Sequence, residues 1–187
     1  MSILANKLEK YMQIRRQGSA NLVQRDYTVA ASQTIKAGDW LTLTSSSADT
    51  VQQALGTATS TATANTSGTR IVGIALASIT TNGSGVSPDG RTTIPVAIID
   101  DSTEVLVKIH NSSAGSSRQM DVYIGQDYNL VRWQGAAGTP NWYMVSSANP
   151  TGGTAMLRVV EESIESAPDE TYGLVWVKVV SGFRSLG

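Results

Sequence analysis

The chain has no cysteine and only one histidine, His110, among its 187 residues. Without thiols, disulfide bonds and thiolate metal sites are excluded, and the redox compartment cannot be read from the sequence. A single histidine rules out a metal site with two histidine ligands. The sequence also lacks the Gly-x-Ser-x-Gly motif that would supply a nucleophilic serine to act with His110. We therefore interpret His110 as a polar residue at a strand end, and we expect neither an enzyme nor a cofactor.

Charge is also scarce, since charged residues make up 16% of the chain and nearly cancel at 14 Lys+Arg against 15 Asp+Glu. This balance predicts no strong field for nucleic acid or for a membrane surface. No run of 18 apolar residues is present, and the N-terminus lacks the apolar region of a secretory signal. We therefore expect neither a nucleic-acid partner nor a membrane partner.

The densest apolar sequence consists of three runs rich in Ile, Val, Leu and Ala. Turn residues separate them: Asn82-Gly83 and Pro88-Asp89-Gly90 after the first run, and Asp100-Asp101 after the second. Short apolar runs broken by such residues are typical of consecutive antiparallel strands. The three runs are Thr69–Ile79, Thr92–Ile99 and Glu104–Ile109.

Similar short runs continue to the end of the chain and predict an all-β fold. We expect a small β-barrel or β-sandwich of about nine or ten short antiparallel strands. The last predicted strand, Tyr172–Val180, is apolar on both faces, so it should be central in a sheet or covered by another copy. Residues Ser45–Gly68 are rich in Ser, Thr, Ala and Gln and predict a long loop with at most one weak strand, around Val51–Leu55.

The first twenty residues predict an N-terminal arm, a helix plus a hinge, ahead of a β-domain at 21–187. Ser2 can serve as an N-cap and Gly18 as a stop, so a helix is expected over residues 2–17. A helix this short is marginal alone, and its apolar face must dock on the domain or on a partner. The apolar residues of the arm are Leu4, Leu8, Tyr11 and Met12, and the basic residues toward its end are Lys10, Arg15 and Arg16.

Charges of opposite sign are concentrated near the two ends of the chain. Residues 1–36 carry six basic residues against two acidic ones, whereas residues 161–170 carry five acidic residues and no basic one. These segments either meet, within one molecule or between copies, or remain two separately solvated runs, which is the commoner arrangement.

Two residue groups are candidate ligand sites. Asp100, Asp101 and Glu104 offer oxygen atoms of the kind that calcium binds, but their spacing matches no EF-hand loop and Asp-Asp-Ser-Thr is ordinary turn chemistry. The four tryptophans, Trp40, Trp133, Trp142 and Trp176, are candidates for a sugar-binding surface, although tryptophans within strands more often pack in a core or an interface. We favour the structural interpretation of both groups.

Two segments together suggest a family. The chain contains Lys36-Ala37-Gly38-Asp39-Trp40-Leu41 and, beyond Gly68, Val72-Gly73-Ile74-Ala75-Leu76-Ala77. An Ala-Gly-Asp turn followed after a loop by a Val-Gly-Ile/Val-Ala strand resembles the pattern of the head decoration (cement) proteins of tailed bacteriophages. The resemblance covers residues 30 to 110, and the N-terminal helix and the C-terminal third extend beyond it.

The resemblance implies a structural virion protein on the outer surface of the capsid. It implies a homotrimer that bridges neighbouring major capsid subunits and stabilises the assembled head, with an N-terminal arm that orders on the shell. The implied capsid-binding residues are those of the predicted arm, namely Leu4, Leu8, Lys10, Tyr11, Met12, Arg15 and Arg16. The alternatives are another virion β-protein, such as a tail or head–tail component, and a carbohydrate-binding β-module that uses Trp133 and Trp142.

Overall fold

A computed structural model of the chain describes residues 13–17, 21–54, 63–64, 70–110, 124–134, 141–146, 155–163 and 174–184. Residues 63–64, 108–110, 133–134 and 141–146 are described by their backbone alone. Over these ranges the fold is all-β, as predicted, and contains no α-helix. The strands are β1 (Ile14–Arg16), β2 (Gln24–Val29), β3 (Thr34–Ile35), β4 (Trp40–Thr44), β5 (Ser47–Gln53), β6 (Thr63–Ala64), β7 (Ile71–Ala75), β8 (Ile79–Thr80), β9 (Thr93–Ile98), β10 (Thr103–His110), β11 (Asp127–Tyr128), β12 (Leu130–Gln134), β13 (Asn141–Ser146), β14 (Leu157–Glu162) and β15 (Leu174–Val179).

Five of these strands close into a barrel in the order β2-β5-β4-β7-β9. Neighbouring strands run antiparallel except β2 and β5, which pair in parallel at Thr28–Val29 and Thr50–Val51. Closure leaves these strands without an open edge, and their inward side chains fill the interior. The buried cluster inside contains Tyr27, Val29, Ile35, Leu41, Val51, Val72, Ala75, Ile79, Ile94, Val96 and Ile98.

The Ala37-Gly38-Asp39 turn lies directly against the end of β7. Gly38 has a φ of 93°, a left-handed conformation that glycine adopts without strain, and its N–H donates to the Ala75 carbonyl at 2.8 Å. The Ala75 N–H donates to the Asp39 carbonyl at 2.9 Å. The buried Asp39 carboxylate also accepts from the Lys36 N–H at 2.9 Å, which fixes the turn. The two segments that carry the family resemblance therefore form one hydrogen-bonded joint.

All five residues of β7 are buried because this strand faces two cores. Opposite Leu41–Thr42 of β4, β7 contains one extra residue, a β-bulge that changes which face its side chains occupy. Val72 and Ala75 pack inside the barrel, whereas Ile71 and Ile74 pack in a second cluster outside it.

The second cluster lies between the barrel wall and a large sheet. The sheet has the order β11-β14-β15-β10-β13-β12-β6, and β1 pairs with β10 beside this path. Its strands pair antiparallel except β10 and β13, which are parallel at Lys108–His110 and Met144–Ser146. Barrel residues Trp40 and Ile74 share the cluster with sheet residues such as Val177. A separate pair, β3 with β8, completes the described strands.

The three apolar runs are confirmed as strands, since they contain β7 with β8, β9 and β10. The last predicted strand is confirmed as central, because β15 lies between β14 and β10. Two predictions are wrong in detail. The described residues hold fifteen strands rather than nine or ten, and two of the pairings are parallel. The weak strand predicted around Val51–Leu55 begins earlier, as the barrel strand β5 (Ser47–Gln53) in which only Val51 is buried, and the predicted loop contains a second strand, β6.

Candidate functional site

The N-terminal strand β1 completes one edge of β10. It runs antiparallel to β10, with Ile14 opposite Val105 and Arg16 opposite Thr103. The Gln17 N–H donates to the Ser102 carbonyl at 2.8 Å, and another backbone bond of 2.7 Å extends the ladder at its other end. Beyond this point the same edge of β10 is occupied by β13, since the opposite edge carries β15. Without β1, the first half of β10 would therefore have an open edge.

Arg15 holds β1 in place through two carboxylates and an aromatic ring. Its Nε donates to Glu104 Oε2 at 2.6 Å, and its Nη2 donates to Glu161 on β14. The guanidinium also stacks over the Trp176 ring of β15, 3.9 Å from the ring centroid. Burial opposes the charged form of Arg15, but the bonds to Glu161 and Glu104 outweigh it and raise the pKa of Arg15 above its ordinary value.

Glu104 is the buried acid of this site, with a side chain that is 3% exposed. A carboxylate taken out of water requires partners for its lone pairs, and here both oxygens have them. Oε2 accepts from Arg15, Oε1 accepts from Gln17 Nε2 at 2.8 Å, and Lys178 Nζ lies 3.6 Å from Oε1. Two of these three partners, Arg15 and Gln17, come from the N-terminal segment, so that segment neutralises and solvates the buried charge.

Arg16 binds a second acidic group at the turn before β10. Its Nη2 contacts the Asp100 carboxylate, its Nε donates to Ser102 Oγ at 2.9 Å, and its Nη1 donates to the Asn21 carbonyl at 2.9 Å. Burial would raise the pKa of Asp100, but hydrogen bonds from Ser102 and Thr103, with the Arg16 charge, lower it below its ordinary value.

Replacing Asp100 by asparagine is expected to make folding less sensitive to acid. Because the folded-state pKa of Asp100 lies below its ordinary value of 3.8, the ionised carboxylate stabilises the fold fully above that pH. This contribution is lost as the pH falls through the lower, folded-state pKa. Urea unfolding at about pH 6 and about pH 2.5 should show a larger loss of stability for the wild-type chain than for Asp100→Asn. Equal losses would contradict the role of this carboxylate.

The three acids considered for a metal site each contact a different arginine. Asp100 pairs with Arg16, Glu104 with Arg15, and Asp101 with Arg184, which follows β15. Across the part of the chain that the structure describes, no group of three or more metal-binding side chains occurs. These carboxylates therefore join the N-terminal strand and the end of β15 to the turn before β10.

An open depression of about 410 Å³ lies beside Arg15 and is lined by Gln17, Glu104, Val160 and Glu161. Its polar side chains are the groups that hold Arg15, and both of its carboxylates, Glu104 and Glu161, bind that guanidinium. The arrangement suits the binding and orientation of a guanidinium on an extended strand. We call the surface formed by the β10 edge, Glu104, Glu161 and Trp176 the arginine groove.

The structure brings together two of the seven predicted arm residues, Arg15 and Arg16. The predicted helix over residues 2–17 is wrong at Ile14–Arg16, which form a strand. Pairing with β10 and packing of Ile14 against the second cluster outweigh the weak local preference for a helix. The other five arm residues, Leu4, Leu8, Lys10, Tyr11 and Met12, lie outside the described residues.

The partners of Arg15 were only partly foreseeable from the sequence. The contact between Arg15 and Glu161 joins the basic N-terminal region to the acidic segment, which was one of the two arrangements considered. Glu104 and Trp176 carried no signal as partners, because each lies within an ordinary strand sequence. Their separation from Arg15 along the chain is bridged only by the β1-β10-β15 pairing.

The turn between β8 and β9, which we call the tip, is held by hydrogen bonds from its own side chains. Asn82 Oδ1 accepts from the Ser84 N–H at 2.8 Å and from the Val86 N–H at 3.1 Å. Asp89 accepts from Ser87 Oγ and from Arg91 Nε, and these bonds, from Ser87 first, lower the pKa of Asp89 to about 2. The tip therefore presents short polar side chains on a fixed backbone.

Trp133 of β12 and Trp142 of β13 are opposite each other in the antiparallel pairing. This pairing does not test sugar binding, which stays a prediction. His110 ends β10, as the sequence indicated. No helix within the described ranges is long and apolar enough to cross a membrane.

A scan of protein-family models and a search of curated proteins found no match to this chain.

Proposed function

We propose that the chain is a structural protein of the virion, a decoration protein that binds the outside of an assembled phage head and bridges major capsid subunits. The observation that carries the proposal is the joint between the Ala37-Gly38-Asp39 turn and Ala75 of β7. Both halves of the pattern that resembles decoration proteins meet there in the wall of a closed barrel.

The surroundings of the joint also support a binding role. The tip at Asn82–Arg91 leads into β9 of the closed barrel, and side-chain hydrogen bonds hold its conformation before any partner binds. A surface that is pre-organised in this way loses little entropy on binding. Repeated contacts around a closed shell, from trimers in this proposal, turn modest individual interfaces into firm attachment. Arg15 and Arg16 are engaged by the chain's own acids, so they anchor the arm. Capsid contacts from the arm are then assigned to the residues before Gln13.

Deleting residues 1–12 is expected to weaken attachment to heads while leaving the β-fold intact, because β1 and its contacts are retained. Emptied heads of the virus that encodes the chain are mixed with either protein, and bound protein is measured by co-sedimentation. We expect saturable binding of the full chain and a loss of about tenfold or more in affinity for the shortened one, in line with the loss of one linked contact.

The same experiment separates the alternatives. A Lys7→Ala variant is the matched control and should bind like the full chain, since it removes one charge from the same segment and none of the seven implied capsid-binding residues. Equal binding by the shortened chain would remove the arm from the capsid contact but leave decoration intact. Negative-stain images that place labelled protein on tails instead of head faces would overturn the decoration function in favour of a tail or head–tail component.

A further inference from the structure

The arginine groove recognises an extended strand by its backbone and its charge together. The edge of β10 that β1 covers supplies backbone hydrogen bonds, as in peptide recognition by strand addition. Glu104 and Glu161 supply two carboxylates, and Trp176 supplies the flat ring on which a guanidinium stacks. Arginine fits such a site better than lysine, because its planar fork binds carboxylates and stacks on an indole at the same time.

A second acidic contact fixes the register of the bound strand. Arg16, next to the groove arginine, binds Asp100 and Ser102 at the turn before β10. A strand shifted by one residue would leave only one arginine in the two arginine positions and would place Arg15 or Gln13 where Ile14 packs against the second cluster. The surface is therefore specific for an extended segment with two consecutive arginines, the sequence of residues 13–17 of this chain.

We propose that the arginine groove also accepts this strand from a second copy of the chain, so that two copies exchange their N-terminal strands. Residues 13–17 of another copy carry the same side chains and would make the same contacts. The two arrangements then differ mainly in how the strand is tethered, and high local concentration favours exchange. Only three residues, Gly18 to Ala20, separate Gln17 from Asn21, and short connections of this kind favour exchange.

The inference does not depend on capsid binding, because the groove and its strand both belong to this chain. It adds an interaction surface, and the partner it names is a second copy. Linked copies would present several arms together, wherever the protein attaches.

The absence of cysteine allows the exchange to be trapped directly. Ile14 faces Val105 across the pairing, and the hydrogen bonds at flanking residues make this the closely spaced type of antiparallel pair. One full-length chain carries Ile14→Cys, and another full-length chain carries Val105→Cys. After the two are mixed, unfolded and refolded together, they are oxidised with glutathione disulfide, and the linkages are identified by peptide mass mapping. Thiols of different chains also pair by random collision, so a bond between positions 14 and 105 of different chains indicates exchange where its yield exceeds that of a control pair.

We expect the mixed 14–105 dimer to exceed, by about tenfold or more, the dimer formed with a control chain that carries Thr28→Cys on the exposed face of β2, and to rise with concentration. Mixed dimer at the control level would overturn the proposal and leave the strand on its own chain. Val105 is buried, so a second pair, Gln13→Cys with Leu106→Cys, tests the same register if Val105→Cys fails to fold, because the Leu106 N–H donates to the Gln13 carbonyl and neither residue belongs to the two core clusters or holds an arginine. Control-level yields from that pair would likewise reject exchange.

Discussion

Replacing Gly73 by alanine is expected to cost about 3 kcal/mol or more in the free energy of unfolding, because the added methyl has no room. A Cβ at this position would lie 2.2 Å from the Ala97 carbonyl oxygen and 2.6 Å from Val96 Cγ1. The nearer atom belongs to the backbone of β9, so no rotamer change can relieve the contact. Either β7 and β9 separate or the barrel opens at Gly73↔Ile98, where they pair. Urea unfolding measured by tryptophan fluorescence gives the difference.

Gly83→Ala is the matched control for this substitution. Gly83 lies in the tip between β8 and β9, and a Cβ there would meet no atom within 4 Å. We expect its stability to stay within about 0.5 kcal/mol of the wild type, as for other surface changes. Similar effects at the two glycines would contradict the steric reason given for glycine at position 73, the close approach of β7 to β9.

This comparison also bears on the family resemblance. Val72-Gly73-Ile74-Ala75 is one of the two segments that carry it, and the contacts of Gly73 give that segment a packing reason. A glycine fixed by barrel packing is a property of the fold, and a fold alone does not identify a partner. The head-binding experiment is therefore the one that decides the function.

The sequence predicted the strands whose side chains are both apolar and sharply bounded. β7, β9 and β10 follow from runs of Ile and Val between turn residues. It indicated only a weak strand around Val51–Leu55 where the structure has β5, which is mainly Ser, Thr and Gln, because barrel strands at the surface are held by their neighbours and not by their own apolarity. Pro95 is the third residue of β9, which is paired on both sides, although proline in a sheet is usually confined to an edge strand or to the start of a strand.

The candidate site was less predictable than the fold for a physical reason. Helical spacing of the apolar residues favoured a helix through Arg16, and local propensity contains no information about a free strand edge elsewhere in the fold. For the basic and acidic segments at the two ends, separate solvation was the favoured interpretation and contact the alternative, and the structure shows contact at Arg15 and Glu161. Glu104 is buried at the centre of the site because of the register of β10 with β1 and β15. A single sequence does not specify the register between strands so far apart in the chain.

Replacing Arg15 by alanine is expected to destabilise the chain by about 2–3 kcal/mol, because the buried Glu104 carboxylate would lose its closest cation. Gln17 and Lys178 would remain near Glu104, at 2.8 and 3.6 Å, and 39% of the Arg15 side chain is exposed to water. These two facts place the cost below that of a fully buried pair. The stacking of Arg15 on Trp176 would also be lost. Urea unfolding at neutral pH measures the change.

Arg25→Ala provides the exposed counterpart. Arg25 also pairs with an aspartate, Asp49 at 2.9 Å, and lies 5.0 Å over the Tyr27 ring, but its side chain is 56% exposed and that of Asp49 is 71% exposed. An exposed pair of this kind contributes at most about 1 kcal/mol. The contrast between the two arginines therefore isolates the burial of the acid from the number of contacts.

A double-mutant cycle shows whether the buried charge is the cause. Glu104→Gln alone should cost less than Arg15→Ala, since the exposed Arg15 keeps Glu161, Trp176 and water. In the Arg15→Ala background, Glu104→Gln removes the uncompensated anion, so the combined loss should fall about 1–2 kcal/mol short of the sum of the two single losses. Additive losses would mean that Arg15 stabilises the fold through stacking and strand pairing. The Lys178 charge and the Gln17 hydrogen bond would then be sufficient partners for the Glu104 carboxylate.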